Sequence, residues 1–519
     1  MSMSTFHGLE VARKALFAQQ RGLYTTGHNI ANVNTDGYSR QRSNFVASAP
    51  YPPQTFFKPK IPGQMGTGVE IGTVQRVRDQ FLDFQYRLEN SRTSYWAKRS
   101  EAMSRMEELL NEPSENGLAT TIDRFWQSLH DLVDNVDNAG ARSVVAHRGL
   151  AVAETLNYLS RSLQSIRADL KDQIEVSVGH VNSLVRQIND INGQIVKIEP
   201  HGLLPNDLYD ERDRLIDELS KYVNVRVHYT ESSEGAPEIA DGLASIELLD
   251  SQGNSIGNGV FLLDVRGVGS LKDSVNEFKV EYSDSGHNEV TRISVSGYDG
   301  VEDLALLDAI GSISALVKAY GYENPDEGEV NYPYILDQLD QLARALAEEF
   351  NNQHEKGFDV ANGEQVVHFF VNTDGDTDPA LITAENLTVN QEILNNPNLI
   401  AASLPGEGSQ NANNALALTE VFDKPNTTYL NGASIRDFYT LLIGEIGVKG
   451  QEAMRMKENT EVLRVQVDEQ RQSVTAVSLD EEMTNLIKFQ HAYNAAARNI
   501  TALDEMLDRI INNMGLVGR

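Results

Sequence analysis

Both ends of this 519-residue chain carry apolar stripes spaced like helices that lie against other helices, and no other feature constrains the fold as strongly. Near the start, Leu9, Leu16, Leu23 and Ile30 recur at intervals of seven, with Phe6, Ala12 and Ala15 on adjoining positions. At the other end Leu479, Met483, Leu486, Gln490, Tyr493, Ala497, Ile500, Asp504, Leu507, Ile511 and Met514 follow a 4,3,4,3 spacing, broken only by Gln490 and Asp504. Ser478 followed by Glu481 and Glu482 suits the capped start of that last helix. Either stripe fits a helix docked on a globular core. At the extreme ends of a long chain, however, the nearest partner for each is the other. The charges agree weakly: the first 45 residues hold five cations against Glu10 and Asp36, and residues 478–519 hold six acids against four bases. The expectation is a mainly α protein whose terminal helices pair as a coiled coil.

The interior reads as a helical rod interrupted by strands. Phe81, Phe84, Leu88 and Tyr95 share a face over residues 79–111, Pro113 and Gly117 stop that helix, and Leu118 to Val136 resumes it. From Val144 to Ile198 a long stripe slips phase between Ile174 and Val181, as a coiled-coil stutter does, and Pro200, Gly202 and Pro205 end it. A short helix follows to Ser220, with Asn206 as its expected cap. At Val223 the period changes to two. Strands are expected at Val223–Tyr229, Val260–Val265, Phe278–Tyr282 and Thr291–Val295. Thirteen acids against five bases over residues 226–300 suggest a small, solvated, outward-facing β domain inserted into the helical protein. Helices return at Leu304–Val317 and Ile335–Phe350, a strand is expected at Val366–Val371, and helices from Ile435 to the end carry breaks near Gly447 and Gly450. The expected domains are 1–75 with 470–519 (terminal core), 76–222 with 301–356 and 425–469 (helical rod), 223–300 (β insertion) and 357–424 (a partly β segment packed on the rod).

Little chemistry is on offer. Cys is absent, which removes disulfides, thiolate catalysis and most structural zinc sites. The formal charge of −31, without a basic stripe, argues against a nucleic-acid partner, and no apolar run is long enough for membrane insertion. Residues 1–23 lack the apolar core of a cleavable signal peptide, because Arg13, Lys14 and Arg21 interrupt it. Asp374, Asp376, Asp378 and Glu385 fall on positions one, three, five and twelve of a calcium-loop register, but Pro379 stands where that turn needs Gly, so a solvated acidic turn is the better reading. Gly267-Val-Gly269 is too short for a dinucleotide fingerprint, and the Gly63, Gly66, Gly68, Gly72 cluster reads as a bent strand. No catalytic residue, cofactor or metal is expected, and the chain is not read as an enzyme.

A family resemblance adds to this. Gly27-His-Asn29-Ile30-Ala31-Asn32-Val-Asn34-Thr35-Asp-Gly37-Tyr38-Ser39-Arg40-Gln41 reads physically as a helix ending in an Asn-rich turn, with Gly37 suited to positive φ. The segment resembles the signature shared by axial proteins of the bacterial flagellum, and its Tyr38-Ser39-Arg40-Gln41 continuation is similar to the hook-associated protein 1 family. Gly66–Ile71 with Arg78–Leu82, Asn206–Ser220, Leu339–Asn351 and Ser478–Arg498 are similar to the same family. The resemblance implies a structural, non-enzymatic subunit of the hook–filament junction. It would be exported to the cell exterior without a cleaved signal and would assemble into a ring or short tube through its terminal helices. Implied partners are other copies of itself, the hook protein, a second junction protein, and an export chaperone at the C-terminal region. A hook or distal-rod protein, which shares the N-terminal motif, is the alternative. An enzyme on a helical dimerisation scaffold is a remote one.

Overall fold

The computed structural model describes residues 6–51, 65–110, 117–266, 271–283, 289–298, 305–325, 328–358, 366–405 and 411–513. Met514, Pro113, Gly63 and Gly267-Val-Gly269 lie outside them. The chain is mostly helical with small antiparallel sheets. Helix α1 (His7–Ala31) leads into the paired strands β1 (Gln41–Ala47) and β2 (Val69–Arg76), followed by α2 (Gln80–Leu110), α3 (Leu118–Asp134), α4 (Ala139–Ile198) and α5 (Asn206–Leu219). Strands β3 (Val225–Thr230), β4 (Leu243–Leu249) and β5 (Ser255–Leu263) form one sheet, and β6 (Phe278–Tyr282) pairs with β7 (Val290–Val295). Then come α6 (Ser312–Tyr320), α7 (Tyr332–His354), the pair β8 (Phe370–Asn372) and β9 (Leu387–Val389), α8 (Gln391–Asn395), α9 (Asn413–Glu420), α10 (Ile435–Thr475) and α11 (Leu479–Asn513).

Helix α4 is the spine. Its 60 residues run unbroken for about 90 Å, through the phase slip at Ile174 to Val181. Leu156, Leu163, Ile174, Val181, Ile188 and Ile195 are all buried against the elements that wrap it. Helix α10 pairs with α2 along its length and also runs unbroken, against the expected breaks at Gly447 and Gly450. Glycine in a helix costs about 1 kcal/mol. At Gly450 a Cβ would sit 3.8 Å from Met103 Cβ, an ordinary contact distance, so the packing of α10 on α2 does not require glycine there. The chain breaks instead at Ala476, where the backbone turns extended (φ −71°, ψ 153°) before Ser478 caps α11.

Two expectations about packing change. Every residue of β4 is buried, and its neighbours Val225, Val260 and Leu262 share one continuous core with α4. The β strands are thus part of the main core. Strand β4 was not anticipated because Leu-Ala-Ser-Ile-Glu-Leu-Leu, covered on both faces, has no alternation to detect. On α2 the buried face begins polar, with Asp83, Arg87, Asn90 and Ser91 inside, while Phe81 is exposed. Asn206 does not cap α5; its amide donates to Val74 O at 3.0 Å and ties α5 to β2.

The far end of the core is an aromatic cluster of Phe125, Phe350, Phe369, Phe370 and Phe422, with ring centroids 4.8–6.4 Å apart. His354 lies on it, fully buried, with Nε2 accepting from Ala401 N at 2.9 Å. Burial, then the nearby His368 and Arg142, lower its pKa to about 3, against a partial opposing bond from the Val367 backbone. His368 itself faces Glu355. The unfolded imidazole titrates near 6.5, so the unfolded chain takes up a proton that the folded one refuses. This contribution to stability is complete above pH 6.5 and is lost as pH falls towards 3. Between pH 7 and 5 it should remove about 2 kcal/mol. Urea midpoints of the native chain and His354→Gln should therefore diverge at pH 7 and converge by pH 5; parallel pH profiles would refute the assignment.

Candidate functional site

The segments singled out along the sequence converge on one joint, where the terminal helices meet the helical body. Helix α1 lies antiparallel against α11. A Cβ on Gly8 would stand 3.3 Å from Leu503, and one on Gly22 3.3 Å from Phe489, whose ring also meets Phe45 of β1 at 5.5 Å. The buried residues of α1 are small ones, Ala12, Ala18, Gly22, Thr26 and Asn29, with Gly8 and Ala15 half-buried beside them. Leu9, Leu16, Leu23 and Ile30 sit one position along and are only half-buried. On α11 the inward face is Glu482, Leu486, Phe489, Tyr493, Ala496, Ile500, Leu503 and Leu507. Leu486, Tyr493, Ile500 and Leu507 stand where the stripe placed them. Glu482, Phe489, Ala496 and Leu503 replace Met483, Gln490, Ala497 and Asp504, so neither stripe-breaking residue lies in the contact. Ala497 is half-buried, whereas Leu479, Met483 and Ile511 are about half or more exposed.

The turn after α1 is a hydrogen-bonded knot. Asn29, buried at the end of α1, accepts from Tyr38 Oη (2.8 Å) and Gln41 N (3.0 Å) through Oδ1 and donates to Gln41 O (2.8 Å). His28 Nδ1 lies 2.9 Å from Tyr38 Oη. Thr35 donates to Asn32, and Gly37 takes φ +79°. Ala31, Asn34 and Thr35 face outward. The loop then reaches across. Ser39 N donates to Asp210 (3.1 Å), Arg40 N to Thr475 O (2.9 Å), and the Arg40 guanidinium to Glu481 and Glu482 at 2.7 and 2.8 Å. Gln41 donates to Asp207 at 3.1 Å. Burial, together with Asp210, Asp207 and Glu482, raises the pKa of the Tyr38 phenol, which keeps it a donor.

Beneath the loop is a buried ion network on α5. Asp210, Asp213 and Asp217 share one face at spacings of three and four, while Glu211, Arg214 and Glu218 pair on the exposed face. Arg76, at the end of β2, binds Asp210 (2.8 Å), Asp213 (2.9 Å) and Asp241. Arg78 binds Asp83 (2.6 Å) and lies 3.4 Å from Asp213. Arg87 binds Asp217 (2.7 Å) and Asp213 (3.2 Å), and Arg471 of α10 binds Asp83 (2.8 Å) and Asp217 (2.5 Å). Arg212 points the other way, donating to Gly242 O at 2.6 Å between the rings of Tyr209 and Tyr229. Burial pushes the Asp213 carboxyl up, but Arg78, Arg76, Arg87 and Arg212 outweigh it and hold it well below the usual range. Asp210 faces fewer cations, and there burial wins and raises the pKa. Sequence reading gave Asn206–Ser220 a family likeness but no role. The available signal was the three aspartates on one helical face with no basic residue between them on that face.

The acidic turn uses its side chains locally. Asn372 Oδ1 accepts from Asp374 N and Asp376 N, Asp378 caps the 3₁₀ turn Pro379–Leu381, and Glu385 receives Gln164. Among the described residues no group of three or more His, Asp or Glu is placed to hold a metal ion, and no helix is long and apolar enough to cross a membrane.

Comparison with known proteins identifies the class first. Residues 9–38 match the flagella basal body rod protein family, and residues 470–514 the C-terminal family of flagellar basal body rod FlgEFG proteins. Both matched segments are in the joint just described, and such paired ends define a flagellar rod- or hook-type protein. The centre separates the alternatives: residues 103–370 match the flagellar hook-associated protein FlgK helical domain. The chain is 44% identical to flagellar hook-associated protein 1 of Bacillus subtilis over 99% of this chain and 100% of that one. It is 25% identical to the protein of that name from Escherichia coli, over 96% of this chain and 98% of the relative. The chain belongs to the flagellar hook-associated protein 1 family. The solved flagellar hook junction protein FlgK from Burkholderia pseudomallei shares the fold, with a TM-score of 0.57 at 14% identity over 76% of this chain and 100% of that one.

Asp213 is the residue on which the joint most depends. Removing one partner of a buried ion group costs about 3–5 kcal/mol, because the others are left uncompensated. Asp213→Ala should lower stability by that amount in urea unfolding and loosen β2 and α2 together. A change below 1 kcal/mol would show that water, not Asp213, solvates the arginines.

Proposed function

We propose that this protein is a structural component of the junction between flagellar hook and filament. The full-length likeness to hook-associated protein 1, continuous through both ends and the helical centre, carries this reading. The chain is divided, in this reading, into the terminal core (1–75 and 470–519), the rod (76–222, 301–356, 425–469), the β insertion (223–300) and the 357–424 segment. The terminal helices continue as a coiled coil and form the inner layer of a ring or short tube of identical subunits. Hook protein lies on one side and a second junction protein on the other, and a chaperone holds the C-terminal region before assembly. The protein acts outside the cell, exported without a cleaved signal, and its role is mechanical rather than enzymatic.

The support from physical chemistry is the apolar surface that α1 and α11 leave uncovered after pairing. Phe17 (56% exposed), Tyr24 (69%), Met483 (50%) and Ile487 (49%) lie outside the α1–α11 contact. Burying a side chain of this kind contributes roughly 1.5–3 kcal/mol, so neighbouring subunits have a strong drive to cover them. Incubating the purified protein with hook fragments tests the reading by negative-stain microscopy: short caps on hook ends support it, and continued extension of the hook favours a hook or rod protein.

Two substitutions separate pairing within a subunit from assembly between subunits. Ile500→Asp, at the α1–α11 contact, should unpair the terminal helices and abolish assembly, with the helical body still folded by circular dichroism. Met483→Asp should leave the monomer's melting unchanged and still block assembly. Normal filaments on cells carrying either variant would refute the assigned surface.

A further inference from the structure

Strand β5 carries an interruption that its partner does not. Leu249 pairs with Ser255 and Leu248 with Val260, so Ile256, Gly257, Asn258 and Gly259 stand opposite a single step of β4. Ile256 is buried and anchors this bulge, whereas Gly257 and Asn258 face solvent. Asn258 lies between two glycines of positive φ, +56° at Gly257 and +90° at Gly259, where the backbone turns freely. Among the described residues its carboxamide has no hydrogen-bond partner. Asparagine followed by glycine is a reactive pair, because the glycine nitrogen, shielded by no side chain, can attack the carboxamide carbon in front of it. At the other Asn-Gly pairs that lie within the described residues the fold opposes this step. Asn192 is fully buried inside α4, with its carboxamide accepting from Ala244 N at 3.2 Å and donating to Ala244 O at 3.0 Å. Asn431 is exposed, but the nitrogen that would attack it, Gly432 N, donates to Asn426 O at 2.8 Å. No such hold is placed on the Asn258 carboxamide, and Gly259 has no partner in the β4 register.

We propose that Asn258 is a self-modifying site, converting to a mixture of aspartate and isoaspartate with water as the only co-reactant. Gly259 N bonds to Asn258 Cγ and gives up its proton while the carboxamide nitrogen departs as ammonia, which leaves a succinimide ring. Water then opens either imide C–N bond. The sum is asparagine plus water to aspartate or isoaspartate plus ammonia, with no change of oxidation state. The bulge accommodates the product: isoaspartate inserts one more methylene into the main chain, where the backbone is already out of register, and Ser255 and Val260 keep their pairs. The site is independent of the junction reading, since it needs nothing but solvent. Ageing the purified full-length chain in mildly alkaline buffer, which speeds loss of the Gly259 proton, and then mapping its peptides by mass spectrometry tests it. In the folded chain ammonia loss at Asn258 should outrun that at Asn192 and Asn431 by about tenfold or more, the rate ratio for one hydrogen bond of about 1.4 kcal/mol. An isoaspartyl methyltransferase should label the Asn258 peptide, and unfolding in urea should bring the three sites to similar rates. Asn258→Ser should abolish that label, and the aged native chain should keep the thermal melt of the fresh one. Asn431 converting as fast as Asn258 in the folded chain, conversion at Asn258 more than tenfold slower folded than in urea, or a melt lost in step with conversion would each overturn the proposal.

Discussion

Asp213 has three arginines and a tyrosine hydroxyl as ligands and almost no water, and this carboxylate sets the relation between the terminal helices and the rest of the molecule. A desolvated carboxylate is tolerable only where its charge is met, and guanidiniums meet it in a fixed planar fork that an ammonium cannot imitate. The forks of Arg76 and Arg87 each grip a second aspartate on the same helix. Their own backbone segments, the end of β2 and the first turns of α2, are thereby placed to within hydrogen-bond tolerance of α5. Because α5 follows α4 after a short turn, the 60-residue spine and the terminal pair share one origin.

Much of this could be read from the sequence, and the parts that could not share a cause. The long helices were legible because apolar residues repeat at helical spacing and Pro or Gly closes them. The α1–α11 partnership followed from position, but its register did not. Periodicity weighs large apolar residues, and on α1 it selected Leu9, Leu16 and Leu23, whereas the close face is made of Gly8, Ala12 and Gly22. On α11 the stripe included Gln490 and Asp504 as defects; in the structure Phe489 and Leu503, each one residue earlier, hold those places. A mismatch at the weakest positions of an otherwise regular stripe was the sign that alternate positions of the face lie one residue earlier.

Polar burial was the other blind spot. Asp83, Arg87, Asp210, Asp213 and Asp217 are the residues that patterning assigns to solvent, and they are inside because they bury one another. No single segment reveals this, since the partners are separated by well over a hundred residues. The family likeness of Asn206–Ser220 flagged the segment without giving the reason. The reason appears only when β2, α2, α5 and α10 are brought together. The fully buried strand β4 was missed on similar grounds: both of its faces are covered, so the alternation that marks a strand is missing.

An ionic joint also resolves a conflict that an apolar joint would create. The chain leaves apolar side chains uncovered on α11 (Leu479, Met483, Ile487) and along α10 (Leu441, Val448, Val462). Apolar attraction is non-directional and scales with area, so an apolar seat for the terminal helices would accept these stripes from another copy as readily as its own. A network of forked arginines rejects them, because seating a Met or Val against Asp213 would strand several charges at a cost of several kcal/mol. Placing fixed charges where the terminal pair meets the helical body, and apolar surface on the outside, keeps that seat from exchanging with the outer stripes. That separation ties the terminal pair to its own helical body rather than to the apolar stripes left outside.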